Sequence, residues 1–196
     1  MQQKRIAVGI TGASGAQYGI RLLQVLLQAG HHVHLMVSDA AWQVFREEMG
    51  WDPSKREAIL AEWASWGELE YHTMRDFRAP IASGSYPCDG MVVIPCSMGT
   101  LSSIAHGASR NLLERSADVM LKEGRTLIMV PRETPLNQIH LQNMLTLAQA
   151  GAKILPAMPG FYHQPTTIDE LIDFVVGKVL DNLRVEHHLF RRWGSK

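Results

Sequence analysis

A chain of 196 residues, 46% of them hydrophobic, can bury one sizeable core and is short for two ordinary domains. Nineteen Lys and Arg balance nineteen Asp and Glu, so no overall field exists to hold a nucleic-acid backbone or an anionic membrane, and any anion site must be local. Two cysteines, Cys88 and Cys96, are too few for a disulfide framework and lack the grouping with histidine that a zinc site needs. The amino terminus passes charged Lys4 and Arg5 into a strand-like run, and no apolar run approaches the roughly 20 residues that span a bilayer. A soluble cytoplasmic protein is expected, with one domain over residues 1–196, its core at about 4–183 and a tail at 184–196.

In chain order, Ile6 to Ile10 reads as a strand buried on both faces, and glycines break it. Apolar residues at Ile20, Leu23, Leu26 and Leu27 predict a helix from Ala16 to Ala29, with Gly30 as its stop. Val33 to Val37 is a second strand, followed by a helix to about Glu48 that Ser38 or Asp39 can cap. Met91 to Ile94 is a strand closed by Pro95, and Ser97 begins a helix. A helix from about Arg110 to Lys122 precedes a strand from Leu127 to Val130. A helix from Leu136 to Ala150 precedes the short run Lys153 to Leu155, and a last helix spans about Ile168 to Leu183. Strands alternating with helices predict an α/β fold: a three-layer, doubly wound parallel sheet, Rossmann-like or flavodoxin-like. The stretch Thr73 to Cys88 is the one long irregular loop, of a length that is usually functional or mobile.

Ligands of doubly wound sheets bind at the carboxyl ends of the strands. That rule selects Thr11-Gly12-Ala13-Ser14-Gly15, Ser38-Asp39, Pro95 to Thr100, Pro131 to Pro135, and Pro159 to His163. A helix starting after the first loop would aim N–H groups and its positive dipole end at a phosphate. The spacing Gly9, Gly12, Gly15 is G-x-x-G-x-x-G, neither the dinucleotide fingerprint nor a P-loop, and so fits a mononucleotide better than NAD or ATP. Such glycines serve a tight turn and close helix packing equally well.

The segments Gly9-Ile10-Thr11-Gly12-Ala13-Ser14-Gly15-Ala16, Pro95-Cys96-Ser97-Met98-Gly99-Thr100-Leu101, Pro131-Arg132-Glu133-Thr134-Pro135 and Pro159-Gly160-Phe161-Tyr162 stand in the order and phase of the UbiX-type flavin prenyltransferases, which this chain resembles from about Lys4 to Asn182. The resemblance implies an enzyme that takes a dimethylallyl group from dimethylallyl phosphate and joins it to N5 and C6 of reduced FMN. It implies no metal, a UbiD-type decarboxylase as recipient of the product, and a large homo-oligomer, a dodecamer, with sites shared between subunits. FMN contacts are expected from Thr11, Gly12, Ala13, Ser14, Ser38, Ser97, Met98, Thr100 and Arg132, with the backbone N–H of Ser97 meeting the flavin.

The chemistry needs cations around the leaving phosphate and an apolar or aromatic wall near the allyl fragment. Arg115 and Lys122, seven apart on one helix face, can bracket a phosphate, or can be an ordinary solvated face. Tyr162 can donate to it. Lys178 stands where the family usually has arginine, which keeps the charge and loses the bidentate fork. Glu133 is the candidate acid/base for the proton on C6, relaying through Ser14, or else a surface carboxylate paired with Arg132. Glu48 resembles a second family carboxylate near the phosphate, with Glu47 as its rival. His31, His32, His187 and His188 read as surface, and Met144 and Met158 as core; the tail is either an interaction segment or frayed. Two other readings compete: an FMN-dependent decarboxylase of the cysteine-decarboxylase type, which calls for a catalytic histidine after the flavin loop, and a flavodoxin-like module, which needs neither paired cations nor an acid/base.

Overall fold

The structure, a computed structural model, describes residues 2–194. Six strands form one parallel sheet: β1 Arg5–Ile10, β2 His32–Val37, β3 Leu69–His72, β4 Gly90–Cys96, β5 Thr126–Pro131 and β6 Lys153–Ile154. Their order is β3-β2-β1-β4-β5-β6, the doubly wound order in which the chain reverses direction between β1 and β4. Seven α-helices connect them: α1 Ala16–Gln28, α2 Asp39–Met49, α3 Arg56–Ala64, α4 Met98–Ala105, α5 Leu112–Lys122, α6 Gln138–Gln149 and α7 Ile168–Leu183.

Side chains alternate across each strand, so the sheet has two apolar faces and needs two helical layers. Ile6, Val8 and Ile10 of β1 face α1, α2, α3 and α7 through Leu22, Leu26, Trp42, Trp63 and Val176. Ala7, Met91, Val93 and Met129 face α4, α5 and α6 through Leu101, Leu113, Met120 and Leu147. Helix starts follow side-chain chemistry: Ser38, Ser97, Asn111, Asn137 and Thr167 each accept the N–H three residues on, which satisfies donors that a helix start leaves orphaned.

Several sequence expectations are corrected. β4 runs through Pro95 to Cys96, pairing Cys96 with Pro131. β3 and α3 are additions, since neither has a strong periodic pattern. His31 and His187 are buried: His31 Nδ1 accepts the Lys4 N–H, and His187 lies 3.2 Å from Asp181 and against Phe190. Met144 is core, as expected, whereas Met158 is 67% exposed. The tail turns back along α7, with Arg192 paired to Asp181 and Trp193 against Tyr162; residues 195 and 196 lie outside the described chain. Among the described residues no helix is long and apolar enough to cross a membrane.

Candidate functional site

At the reversal between β1 and β4 the two strand ends are stitched together. The Thr11 hydroxyl donates to the Pro95 carbonyl at 2.8 Å and accepts the Ser97 N–H at 2.8 Å, and its own N–H also reaches Pro95. Thr11 is buried and its hydroxyl is engaged on both sides, so it sets the distance between the loops. The Ser97 N–H, expected to meet the flavin, is instead given to Thr11. Met98 likewise turns its side chain into the core.

The glycine loop owes much of its composition to packing. A Cβ on Gly12 would stand 2.4 Å from the Ala40 Cβ at the start of α2, and Gly15 has φ of 93°. Gly99, in the first turn of α4, faces open space, so no packing inside the chain requires a glycine there. The start of α4, capped by Ser97 with Thr100 in the same hydrogen-bonded turn, is therefore the approachable helix terminus.

At the start of α1 an anion is already in place. The Glu48 carboxylate accepts the Gly15 N–H at 2.9 Å and the Ala16 N–H at 3.1 Å. Glu47 pairs with Arg46 on the outside, so geometry separates the two rivals and brings Glu48 to the loop. The expected docking of a phosphate on these α1 donors requires that Glu48 withdraw.

Arg132, just after β5, donates from Nε to the Ser14 carbonyl at 3.2 Å and so joins the third strand end to the first. It does not turn to Glu133, whose exposed carboxylate accepts the Thr134 N–H. Arg132, Glu133, Thr134, Met144 and Met158 line a cleft of about 250 Å³ beside these loops. Tyr18, on the first turn of α1, has its hydroxyl pushed up by burial, while the nearby Arg132 guanidinium pulls it down.

Tyr162 stands edge-on to Phe174, with centroids 5.7 Å apart, and edge-on to Trp193 at 5.2 Å. Lys178 follows Phe174 by four residues, hence one turn along the same helix face, and its Nζ lies 3.9 Å from Asp181. Tyr162 thus packs against α7, one turn before Lys178.

Arg115 and Lys122 are not near them. α5 descends beside the sheet from the strand carboxyl ends, so Lys122 lies at the amino ends, about 10 Å below Arg115 along the helix. Arg115 donates to the Ala82 carbonyl and pairs with Asp118; Lys122 pairs with Glu123. Within one chain the paired cations and Glu133 do not form one site.

Comparison with known proteins supplies the deciding observation. A family model described as Flavoprotein matches residues 1–180. The flavin prenyltransferase UbiX of Halalkalibacterium halodurans is 63% identical over 191 residues, covering 96% of this chain and 93% of that one. The chain belongs to the UbiX flavin prenyltransferase family. Among solved structures, AnUbiX (PadA1) in complex with FMN and dimethylallyl pyrophosphate covers 100% of both chains with a TM-score of 0.90 and 41% identity. A dodecameric FMN-dependent UbiX-like decarboxylase from Escherichia coli O157:H7 covers 97% of this chain and 100% of its own, with a TM-score of 0.87 and 42% identity.

Family membership accounts for the four matched strand-end segments, all of which the fold places at one edge of the sheet. Three further residues to which no role was given stand at that edge, although His163 falls within the selected segment Pro159 to His163. Tyr18 follows Gly15 by one helical turn, a spacing that was open to inspection. Trp193 reaches Tyr162 only because the tail folds back, which no local pattern announces. His163, beside Tyr162, has both ring nitrogens buried without a partner and stacks on Phe174 at 5.3 Å.

Proposed function

We propose that this chain, as one flavin-binding domain, transfers a dimethylallyl group to reduced FMN, with FMN as the acceptor substrate rather than a resident redox cofactor. The observation that carries the reading is its full-length likeness to AnUbiX, which was solved with FMN and dimethylallyl pyrophosphate. The residues present fit a flavin mononucleotide. Ser14, Ser38, Ser97, Thr100, Arg132 and the open turn at Gly99 all belong to the segments that follow β1, β2, β4 and β5 around the reversal point, where such folds bind nucleotides.

In the reaction the carbon–oxygen bond of the donor breaks, and its electron pair leaves with the phosphate. A bond forms from the allyl carbon to N5 of FMN as the N5 proton leaves. Ring closure adds a proton to the remaining double bond and removes one from C6, so the closed and open products have the same composition. Tyr162 and Lys178, with Arg115 and Lys122 of a neighbouring subunit, bind the departing phosphate; positioned cations stabilise charge that develops at bond cleavage. Glu133 takes the proton from C6. The dodecamer of the Escherichia coli relative supports the shared arrangement, and the product serves a UbiD-type decarboxylase. Whether the donor carries one phosphate or two distinguishes the expected dimethylallyl phosphate from the pyrophosphate bound by AnUbiX.

In favour of the decarboxylase reading, the Escherichia coli relative and a solved relative from Aquifex aeolicus, 44% identical, are both named as decarboxylases. That reading calls for a catalytic histidine after the flavin loop, where this chain has Ser97-Met98-Gly99-Thr100. Calorimetry tests the nucleotide preference that both readings share: FMN is expected to bind and NAD to bind far more weakly. Tighter binding of NAD would leave the fold intact and remove the function.

A further inference from the structure

Toward the sheet edge, the face of β2 and β3 that continues from Ala7 carries a second polar cluster. His32, His34 and Met36 alternate along β2 and share a face, and β3 sets Glu70 opposite His34 and His72 opposite Met36. Sequence reading found no metal-ligand cluster, because β3 was not recognised and its residues could not be aligned with those of β2. The fold brings His32, His34 and Glu70 together. His32 opens β2, so the cluster begins at the amino end of the strand, away from the flavin crevice.

His34 Nδ1 lies 2.8 Å from Glu70 Oε2 and 2.9 Å from His72 Nε2, and the last two atoms are 3.6 Å apart. His32 Nε2 stands 3.8 Å from the same Glu70 oxygen. Bonds of about 2.0–2.1 Å in a tetrahedral zinc site hold ligand atoms about 3.3 Å apart, so this triangle has a point about 2 Å from all three corners. The remote nitrogens have partners as well. His34 Nε2 is 2.8 Å from the Tyr86 hydroxyl, and His72 Nδ1 is 3.8 Å from Asp76 Oδ2. A ligating histidine characteristically gives its other N–H to such a group, which fixes the tautomer that aims the lone pair at the metal. When the Tyr86 hydroxyl accepts the His34 Nε2–H, the Nδ1 lone pair is left facing Glu70 and His72, and a cation placed there satisfies it. Half-exposed Glu70 gives a cation a route in from solvent.

We propose that His34, His72 and Glu70, with His32 at the fourth corner, bind one divalent transition-metal ion, zinc by their donor set. The ion is structural: it clips the edge strand β3 and, through Tyr86, the segment after β3 to the body of the sheet. It lies outside the transfer chemistry.

The test uses the full-length oligomer without a histidine tag, stripped with a chelator and titrated with cobalt(II) and then zinc. One cobalt per chain is expected to give the visible d–d bands of a tetrahedral nitrogen–oxygen site, zinc is expected to abolish them, and the melting midpoint is expected to rise with zinc concentration. Glu70→Gln and His72→Gln are each expected to lose more than about tenfold in metal affinity, and Tyr86→Phe, which leaves every ligand in place, about tenfold. Tyr86→Phe decides the matter if the ligand variants fail to fold. Absence of d–d bands at stoichiometric cobalt, with no zinc-dependent shift in melting, would overturn the proposal. Binding of wild-type strength in all variants that fold would do the same, because the metal would then sit elsewhere.

Discussion

Glu133→Gln is expected to bind FMN and the prenyl donor, form the first bond to N5, and then slow by about 10²–10⁴-fold at ring closure, the usual range for loss of a general base. The amide keeps the shape of the carboxylate and its contact with the Thr134 N–H, so the cleft should stand unchanged. The first step depends mainly on departure of the phosphate and on the cations around it; only the second must take a proton from C6. Since closure conserves composition, mass alone does not separate the two species. A stopped-flow record of flavin absorbance, with fragmentation of the quenched flavin to place the attachment, does. Closure at near wild-type rate would reduce Glu133 to a loop contact. Failure to form any adduct would move its role to the first step.

The second large effect concerns Arg115 and Lys122. Alanine at either position is expected to leave FMN affinity nearly intact and to weaken use of the donor by about 10- to 150-fold, the equivalent of one charge-assisted contact worth roughly 1.5–3 kcal/mol. Lys122 lies at the opposite end of the sheet from Glu133, which leads to a stricter expectation. When Lys122→Ala and Glu133→Gln chains are co-expressed, some mixed interfaces should join an intact Lys122 from one chain to an intact Glu133 from another. Part of the activity should return in the mixed oligomer, although each parent is impaired. No recovery in oligomers shown to be mixed would contradict the shared site, as would loss of FMN affinity in step with activity in the single variants.

Sequence made the alternation of strands and helices legible because a parallel sheet buried on both faces needs short continuous apolar runs. Ile6 to Ile10 and Met91 to Ile94 are such runs, and α7 has the bounds its apolar spacing implies. Leu69-Glu70-Tyr71-His72 escaped notice because an edge strand with one partner needs no apolar run: its hydrogen bonds to β2 define it, and its side chains are polar on the face where the histidines gather. Site residues divided in the same way. Those fixed by a strand end, such as Ser14, Ser97 and Arg132, fall where the topology puts every strand end. Arg115 and Lys122 were placed on one helix face correctly, but helical spacing carries no information about which end of the sheet that face approaches. Met158 is apolar and read as core, yet it lines the cleft beside Arg132 and Glu133, since apolar side chains wall ligand clefts as well as cores. His31 and His187 show the converse: polar residues near element ends become buried when an N–H or a carboxylate meets them.

As a flavin prenyltransferase this chain alkylates a flavin. The most direct measurement is the mass of the flavin recovered after anaerobic incubation of the protein with reduced FMN and dimethylallyl phosphate, with the pyrophosphate in a parallel arm. FMN heavier by one dimethylallyl unit, replacing one hydrogen, is expected together with one equivalent of released phosphate, or of pyrophosphate if the parallel arm reacts. Recovery of unmodified FMN from both arms, with protein that had bound it, would contradict the account.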